Sequence, residues 1–340
     1  MKNKMPETAS KAVLADVDED WTSTVSNEYP LSIRISSCIA LLFFSVAATI
    51  LAELSKSEDG QYKYNTFLIP LSVEVIKLTV SALSMPYTNN ARDISKNFSL
   101  RTFGSYSVPA LCYFISNNCM FYIIRELGPT TFQVTNNLKT LSTALLMRFV
   151  LSRKLTWLQI KALVILICGS VVTQLKASNR GEQHRVDSMQ LGYVLVFVNA
   201  FAAGIGGVYS EKLLKGTSVA GRIESIHFQN CQLYFFGICF GFISLVTGRT
   251  TGLSNVFEGF NVAAYATIAV LAACGLLVSF ILKYLDNIAK CFVGALSMIA
   301  VGLLEVSVSS HSVPLQLSMG IVLTTIAVEQ FNLPQTNIKY

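Results

Sequence analysis

Ten apolar segments separated by short polar stretches run along the chain. A run of about 20 mainly apolar residues has the length needed to cross a hydrocarbon core about 30 Å thick. We therefore predict ten membrane-spanning helices, centred on 33–53, 66–85, 103–124, 130–150, 157–175, 191–214, 226–247, 263–282, 288–307 and 313–331. The fourth and ninth segments are weakly apolar, so nine or eleven spans stay open as alternatives.

Composition supports a membrane location. Hydrophobic residues make up 52% of the chain and charged residues only 14%, whereas a soluble domain carries about 25% charge. A surface in contact with lipid must avoid charge, because a Lys or Asp at mid-bilayer costs roughly 2.5 to 3.5 kcal/mol. The net charge of +6 is then explained by loops beside the membrane, and nucleic-acid binding is not needed to account for it.

Lysines and arginines in the loops predict the orientation. With a cytoplasmic N-terminus, ten of them lie on the cytoplasmic side and seven on the other, which favours both termini in the cytoplasm. Residues 1–32 are polar and predict a disordered tail, and residues 333–340 predict a short cytoplasmic tail. We expect no cleaved signal peptide, because no charged region runs directly into an apolar stretch with a small-residue cleavage site.

An internal repetition divides the chain into two halves. The pentapeptide Leu155-Thr156-Trp157-Leu158-Gln159 is similar to residues 312–316, an offset of 157 residues. This short similarity is weak alone, but the offset separates ten spans into five and five, and an odd number per half makes the halves opposite in orientation. We predict an all-α polytopic membrane protein with two inverted five-helix repeats, 33–175 and 191–332, joined by a polar connector over 176–190.

Catalytic and metal-binding motifs are missing from the sequence. The eight cysteines lie in or beside apolar segments, without a CxxC pair or a histidine at metal spacing, so they are expected to be buried free thiols. The chain has no Walker A motif, HExxH motif, nucleophile elbow or dense carboxylate cluster. We therefore expect no metal, no cofactor and no enzymatic activity.

Polar residues recur on one face of the fourth segment. Phe132, Asn136, Lys139 and Thr143 follow a spacing of i, i+4, i+7 and i+11, with Gln133 beside them. Such a face suits water or a ligand, since polar groups at membrane depth need a reason. The alternative is hydrogen bonding between helices, which leaves the lysine still in need of an anion.

Other segments add polar groups at membrane depth. Glu74 and Lys77 lie three residues apart on one face of the second segment and could neutralise each other or serve a substrate. One face of the seventh segment carries His227, Asn230, Tyr234, Gly237 and Gly241. The histidine is interpreted there as a satisfied interfacial residue in preference to a proton relay.

Lysines, amides and aromatic rings together predict an anionic ligand with many hydrogen-bonding groups. Asn117 and Asn118 lie in the third segment, and Lys283 and Lys290 flank a short motif after the eighth. These two lysines are also explained as ordinary cytoplasmic flank charges. Lysine suits phosphate as a compact point charge, and aromatic rings can stack on a base or sugar, so we predict transport of a phosphate-bearing metabolite.

Six short motifs occur in order along the chain. One of them is Phe132-Gln133-Val134-Thr135-Asn136-Asn137-Leu138-Lys139. The others are Glu74-Val75-Ile76-Lys77-Leu78, Asn117-Asn118, Gly207-Val208-Tyr209 with Glu211-Lys212, Gln229-Asn230 with Gln232-Leu233-Tyr234, and Lys283-Tyr284 with Asp286-Asn287-Ile288 and Lys290. Together they resemble the motifs of the nucleotide-sugar transporters related to the CMP-sialic acid and UDP-galactose carriers. The resemblance extends from the first segment to the last, so it covers both predicted halves.

This resemblance implies a ten-helix drug/metabolite-transporter fold in the Golgi membrane, with the endoplasmic reticulum as the alternative. It further implies exchange of a cytosolic nucleotide sugar for a lumenal nucleoside monophosphate by alternating access. The site residues implied are Lys139 and Lys283 for the phosphates, Asn117, Asn230 and Tyr234 for the nucleotide or sugar, Glu74 and Lys77 in the same cavity, and Phe132, Gln133 and Asn136 at its border.

Departures from the family pattern limit the substrate prediction. Phe132 stands where the family usually has tyrosine, Asn136 and Asn137 replace a tyrosine-glutamine pair, and Phe236 replaces a serine of the sialic acid carriers. A pyrimidine nucleotide is favoured, and the choice between CMP- and UDP-linked sugars stays open. A carrier for another phosphorylated or small polar metabolite and a non-transporting scaffold or regulator remain alternatives, as does a homodimer formed through close-packed glycines.

Overall fold

The computed structural model describes residues 30–56, 62–65, 68–88, 99–119, 123, 138–150, 156–174, 186–216, 225–247, 258–309 and 315–332. The first helix begins at Leu31, two residues inside the predicted N-terminal tail 1–32. Residues 1–29, the predicted C-terminal tail and most of the predicted connector lie outside the described residues. So do Phe132, Gln133 and Asn136, three of the predicted site residues.

Helices occupy all ten predicted segments, and the described residues contain no strand. In chain order they are α1 Leu31–Leu54, α2 Leu68–Thr88, α3 Leu100–Ser105, α4 107–119, α5 Leu138–Val150, α6 Trp157–Gln174, α7 Val186–Lys215, α8 Ile226–Thr247, α9 Val262–Tyr284, α10 Asn287–Ser309 and α11 Leu315–Asn332. Two details differ from the prediction. The sixth segment begins five residues early, at Val186, and the third segment is interrupted at Tyr106.

The interruption at Tyr106 serves packing. Its backbone N–H donates to the Phe103 carbonyl at 3.1 Å, which is a tight turn between α3 and α4. The Tyr106 ring is buried and joins Leu233 and Tyr234 of α8 in one apolar cluster. The turn therefore inserts an aromatic ring into the interior and anchors the third segment against α8.

Within the described ranges, six helices are long and apolar enough to cross a membrane: α1, α2 over Leu68–Pro86, α7 over Val194–Lys215, α8, α9, and α10 over Asn287–Leu304. The described parts of α6 and α11 form shorter apolar helices. Large apolar side chains such as Phe43, Leu83 and Phe149 point outward, as expected where lipid is the solvent. The predicted class, a polytopic helical membrane protein, is confirmed. The count of ten spans in two inverted repeats stays a prediction.

Contacts between helices cross the boundary between the predicted halves. Helix α2 packs against α8, α5 against α10 and α6 against α11, and each of these pairs lies five predicted spans apart. Helix α1 also packs against α10. Exchanging the two predicted halves replaces α1 by α7 and α10 by α5, and these two helices are in contact as well. This pattern is expected for two repeats related by a pseudo-two-fold axis.

Small residues on α7 allow close helix packing within one chain. A Cβ placed on Gly204 would lie 2.8 Å from Ser142 Oγ of α5, and one on Gly206 would lie 3.1 Å from Cys112 of α4. Ser116 Oγ donates to Asn199 Oδ1 at 2.6 Å across the α4–α7 contact. The glycines therefore serve contacts inside the subunit, and the homodimer stays a prediction.

Candidate functional site

A cavity of about 220 Å³ lies between helices of both predicted halves. It is lined by Pro70, Leu71, Glu74 and Lys77 of α2, by Ala110, Tyr113, Phe114, Asn117 and Asn118 of α4, by Ser210 and Leu214 of α7, by Leu233, Tyr234, Gly237, Gly241 and Ser244 of α8, and by Gly275, Val278, Ser279 and Leu282 of α9. Four of the predicted site residues therefore meet at one place: Glu74, Lys77, Asn117 and Tyr234.

An ion pair forms the charged part of the cavity wall. Lys77 Nζ lies 2.5 Å from Glu74 Oε1, as expected for residues one turn apart on a helix. The same ammonium lies 4.2 Å from the centroid of the Tyr234 ring, a cation–π distance. Lys77 is only 8% exposed, so these two contacts replace the water that its charge would otherwise require.

A hydrogen bond to α9 fixes the position of the Tyr234 side chain. Its hydroxyl and Ser279 Oγ are hydrogen bonded at 2.8 Å, and the residue is buried. A buried tyrosine hydroxyl needs such a partner, since leaving it unpaired would cost about 1–3 kcal/mol. The bond therefore fixes the ring in the position where it contacts Lys77.

Glycines on α8 and α9 make room for the ion pair. A Cβ on Gly237 would lie 2.8 Å from Glu74 Oε2, and one on Gly275 would lie 2.6 Å from Lys77 Cδ. Both distances are below ordinary van der Waals contact. The glycine face predicted on the seventh segment is thus explained by Gly237, which accommodates Glu74, and by Gly241, which packs against Leu71.

Four further polar residues of the cavity were missed by the sequence interpretation: Tyr113, Ser210, Ser244 and Ser279. The Tyr113 hydroxyl and Ser210 Oγ are buried and have no hydrogen-bond partner among the described residues. Both residues line the cavity, where a bound solute could reach them. Tyr113 lies one helical turn before Asn117, so the spacing of α4 contained a signal for it.

Lys283 and Asn230 lie beside the cavity and do not line it. Lys283 is 1% exposed, and its Nζ donates to Gln229 Oε1 at 2.6 Å. Asn230 is also buried, and its Oδ1 has no hydrogen-bond partner within the described part of the chain. Asn230 lies one helical turn before Leu233, and Lys283 directly follows Leu282. Both leucines line the cavity.

Lys139 belongs to another group of residues. It lies near the start of α5, where Lys290 and Cys291 of α10 are close enough to influence it electrostatically. The structure does not place it in the cavity wall. The three lysines of the predicted site therefore lie in three places. Lys77 lines the cavity, Lys283 lies beside it, and Lys139 lies where α5 contacts α10.

Phe236, one of the departures from the family pattern, is turned away from the cavity. Its ring packs on Phe103 of α3 with centroids 4.8 Å apart, and it belongs to the apolar cluster around Tyr106. Two residues along a helix are about 200° apart, so Tyr234 and Phe236 cannot face the same space. Phe236 can influence the site only through packing in this conformation.

Comparisons with known proteins agree with the ordered motifs. Residues 30–332 match a family model described as Nucleotide-sugar transporter. CMP-sialic acid transporter 1 of Oryza sativa subsp. japonica is 32% identical over 84% of this chain and 89% of that protein. CMP-sialic acid transporter 1 of Arabidopsis thaliana is 29% identical over 87% and 88%, and the UDP-galactose translocator of Homo sapiens is 32% identical over 67% and 57%.

A solved crystal structure superposes on the chain with a TM-score of 0.64, covering 89% of this chain and 97% of the other at 12% sequence identity. A likeness at that identity shows a shared fold and nothing further. The family match covers most of the chain, and the family consists of transporters and is not known for enzymes. The chain therefore belongs to the nucleotide-sugar transporter family and, as expected from the sequence, is not an enzyme.

Proposed function

We propose that the protein exchanges a cytosolic pyrimidine nucleotide sugar, CMP- or UDP-linked, for a lumenal nucleoside monophosphate by alternating access. The observation that carries this proposal is the cavity between helices of both predicted halves, where Lys77, Glu74, Asn117 and Tyr234 meet. A site at the interface of two repeats is where carriers of this type bind their solute.

Charge in and around the cavity suits a phosphate-bearing solute. Lys77 already faces the cavity, and its pairing with Glu74 leaves the cavity wall close to neutral. Outside the wall, Lys283 donates to Gln229, and Lys139 lies near Lys290 and Cys291 of α10. We propose that Lys283 and Lys139 reach the phosphates as the helices rearrange, which would supply the positive charge that an anionic nucleotide needs.

The size of the cavity fits a carrier that must open further. Ligand pockets usually enclose about 300 to 1,000 Å³, and this cavity holds about 220 Å³. A nucleotide sugar would therefore require the helices to separate on one side. The packing of α2 on α8, α5 on α10 and α6 on α11 supports a rocking motion of two inverted five-helix repeats about these contacts.

The names of the relatives support the pyrimidine preference. CMP and UDP, named in the CMP-sialic acid transporters and UDP-galactose translocators, both carry a pyrimidine base. Residence in the Golgi membrane and a cytoplasmic position of both termini are part of the same proposal. They rest on the family resemblance and on the lysine and arginine bias of the loops.

Transport into proteoliposomes tests the proposal. Radiolabelled nucleotide sugars would be offered to vesicles preloaded with CMP, UMP or GMP, using the parent protein, Lys139→Ala, and Lys161→Ala as the control on the exposed face of α6. We expect one pyrimidine monophosphate to stimulate uptake, loss of that stimulation in Lys139→Ala, and retention in Lys161→Ala. Absence of stimulation across the whole panel would reject nucleotide-sugar exchange.

A further inference from the structure

The turn between α9 and α10 is bonded to the end of α7 through a second ion pair. Only Leu285 and Asp286 separate the two helices. Glu211 and Lys215 of α7 lie one turn apart, with Nζ 2.7 Å from Oε1. We call Glu211, Lys215, Leu285 and Asn287 the turn clamp.

Each charge of the turn clamp also binds backbone of the turn. Glu211 Oε2 accepts from the backbone N–H of Asn287 at 2.9 Å, and the Lys215 ammonium donates to the Leu285 carbonyl. The carboxylate therefore meets the positive end of α10 and the ammonium meets the negative end of α9, which is the favourable arrangement for both helix dipoles. Glu211 is only 2% exposed, so little water competes for these bonds.

A second polar bridge lies beside the turn clamp and joins the same helices. Gln229, near the start of α8, accepts from Lys283 of α9 at 2.6 Å and donates to the Leu213 carbonyl of α7 at 3.2 Å. Gln229 and Lys283 are both about 1% exposed. The ends of α7, α8 and α9 are thus linked to one another by buried hydrogen bonds.

The turn clamp lies next to one end of the cavity. Leu214 and Leu282 line the cavity and are fully buried, and each directly precedes a lysine of the polar bonds, Lys215 and Lys283. A solute passing between α7 and the α9–α10 turn would require the two to separate. Separation would break the bonds of the turn clamp, and reversible polar bonds can be broken and remade in each cycle.

We propose that the turn clamp is the gate that closes the cavity at this end of the bundle. The loop charges predict that this end faces the cytoplasm. The proposal rests on the proposed function in taking the cavity as the solute path, and it assigns to Glu211 and Lys215 a role in access and none in contact with the solute.

Accessibility of a cysteine in the cavity tests the gate without any nucleotide. In a background lacking the eight native cysteines, Leu282→Cys would be labelled with a membrane-impermeant maleimide applied from the side of the α9–α10 turn. In the parent background we expect slow labelling, since Leu282 is 1% exposed. Adding Lys215→Met should raise the labelling rate by about tenfold or more, because the ion pair with Glu211 and the charge-assisted bond to the Leu285 carbonyl are both lost.

Two matched variants control for charge and for position. Lys212→Met removes a lysine of the same helix whose Nζ donates to the Val150 carbonyl at 3.4 Å, and it should leave the labelling rate unchanged. Lys215→Arg keeps the charge and should label as slowly as the parent. Where Lys215→Met does not yield folded protein, Glu211→Gln removes the charge and keeps an amide oxygen for Asn287, and the same increase is expected.

Labelling of folded Lys215→Met or Glu211→Gln at the parent rate would overturn the gate. So would an equal increase in Lys212→Met, since the effect would then not depend on the turn clamp. Because no nucleotide is present, these outcomes are separate from the transport result. A protein that exchanges nucleotides but shows no change in labelling would refute the gate alone, and the opposite pattern would refute the proposed substrate alone.

Discussion

The cavity and the turn clamp use the same chemical unit in two different settings. Each contains a glutamate and a lysine one turn apart on a single helix, Glu74 with Lys77 on α2 and Glu211 with Lys215 on α7. In the cavity the lysine contacts the Tyr234 ring and faces open space. In the turn clamp both charges bind backbone groups of the α9–α10 turn, so they hold the turn.

This difference teaches that the second partner of an ion pair decides its role. An ion pair whose lysine also faces a cavity can replace one of its contacts by a contact to a ligand. An ion pair whose other hydrogen bonds go to the backbone of a turn holds that turn in place or releases it. The two pairs therefore predict different consequences for mutations that look alike in the sequence.

The largest effect is expected for Lys77→Ala. The variant removes the ammonium at the cavity wall and leaves the Glu74 carboxylate to repel an anionic solute, so monophosphate-stimulated uptake should fall by about a hundredfold or more. Uptake into preloaded proteoliposomes measures it. The double variant Glu74→Gln/Lys77→Ala should recover part of the activity, and uptake by Lys77→Ala within about threefold of the parent would remove this pair from the solute site.

Glu211→Ala should have the next largest effect, and this effect should be a loss of stability. The variant leaves Lys215 and the Asn287 N–H without their shared acceptor, which should lower the free energy of unfolding by about 2 to 4 kcal/mol. Thermal unfolding in detergent measures the change as a lower Tm. Glu211→Gln, which keeps an acceptor oxygen, should lose less, and an equal loss in both variants would show that hydrogen bonding to the turn contributes little.

Tyr234→Phe should have a smaller effect. It removes the hydroxyl bonded to Ser279 and keeps the ring against Lys77, so the affinity for a nucleoside monophosphate should fall by about threefold to tenfold, equivalent to roughly 1 kcal/mol. Titration calorimetry on the purified protein measures it. Ser279→Ala should reproduce the loss, and the double variant should show no additional loss, because both substitutions remove the same bond.

Lys56→Met should have the smallest effect. Lys56 pairs with Glu53 at 2.6 Å just after the end of α1, but the Glu53 side chain is 71% exposed, and exposed pairs contribute about 0 to 1 kcal/mol. We expect uptake and Tm close to those of the parent. A loss as large as that of Glu211→Ala would contradict the view that the setting of an ion pair, and not its presence, decides its importance.

The helices could be predicted from the sequence because hydropathy reports the local environment of each segment. The described helices begin and end close to the predicted segments, and the main differences are the early start at Val186 and the interruption at Tyr106. The interruption at Tyr106 could not be foreseen, since it depends on burial of the ring against Leu233 and Tyr234. These contacts join residues more than a hundred positions apart.

The site was predictable only in part. Glu74, Lys77, Asn117 and Tyr234 were found because each is a polar or aromatic residue at membrane depth, and the structure brings them together. Ser279 was missed because its role is to bond Tyr234 across 45 positions.

The turn clamp shows the limit of motif matching. The family motif singled out Glu211 with Lys212, but neighbouring residues point to different sides of a helix, and the ion pair is made by Lys215, one turn further on.

Binding of a nucleoside monophosphate to the purified protein tests the distinction between the two pairs most directly. Titration calorimetry with CMP and UMP would compare the parent, Lys77→Met and Lys215→Met. The account predicts that Lys77→Met loses binding by about a hundredfold. Lys215→Met should keep a Kd within about threefold of the parent although its gate is released. Equal loss of binding in both variants, or retention in Lys77→Met, would contradict the assignment of one pair to the solute and the other to the gate.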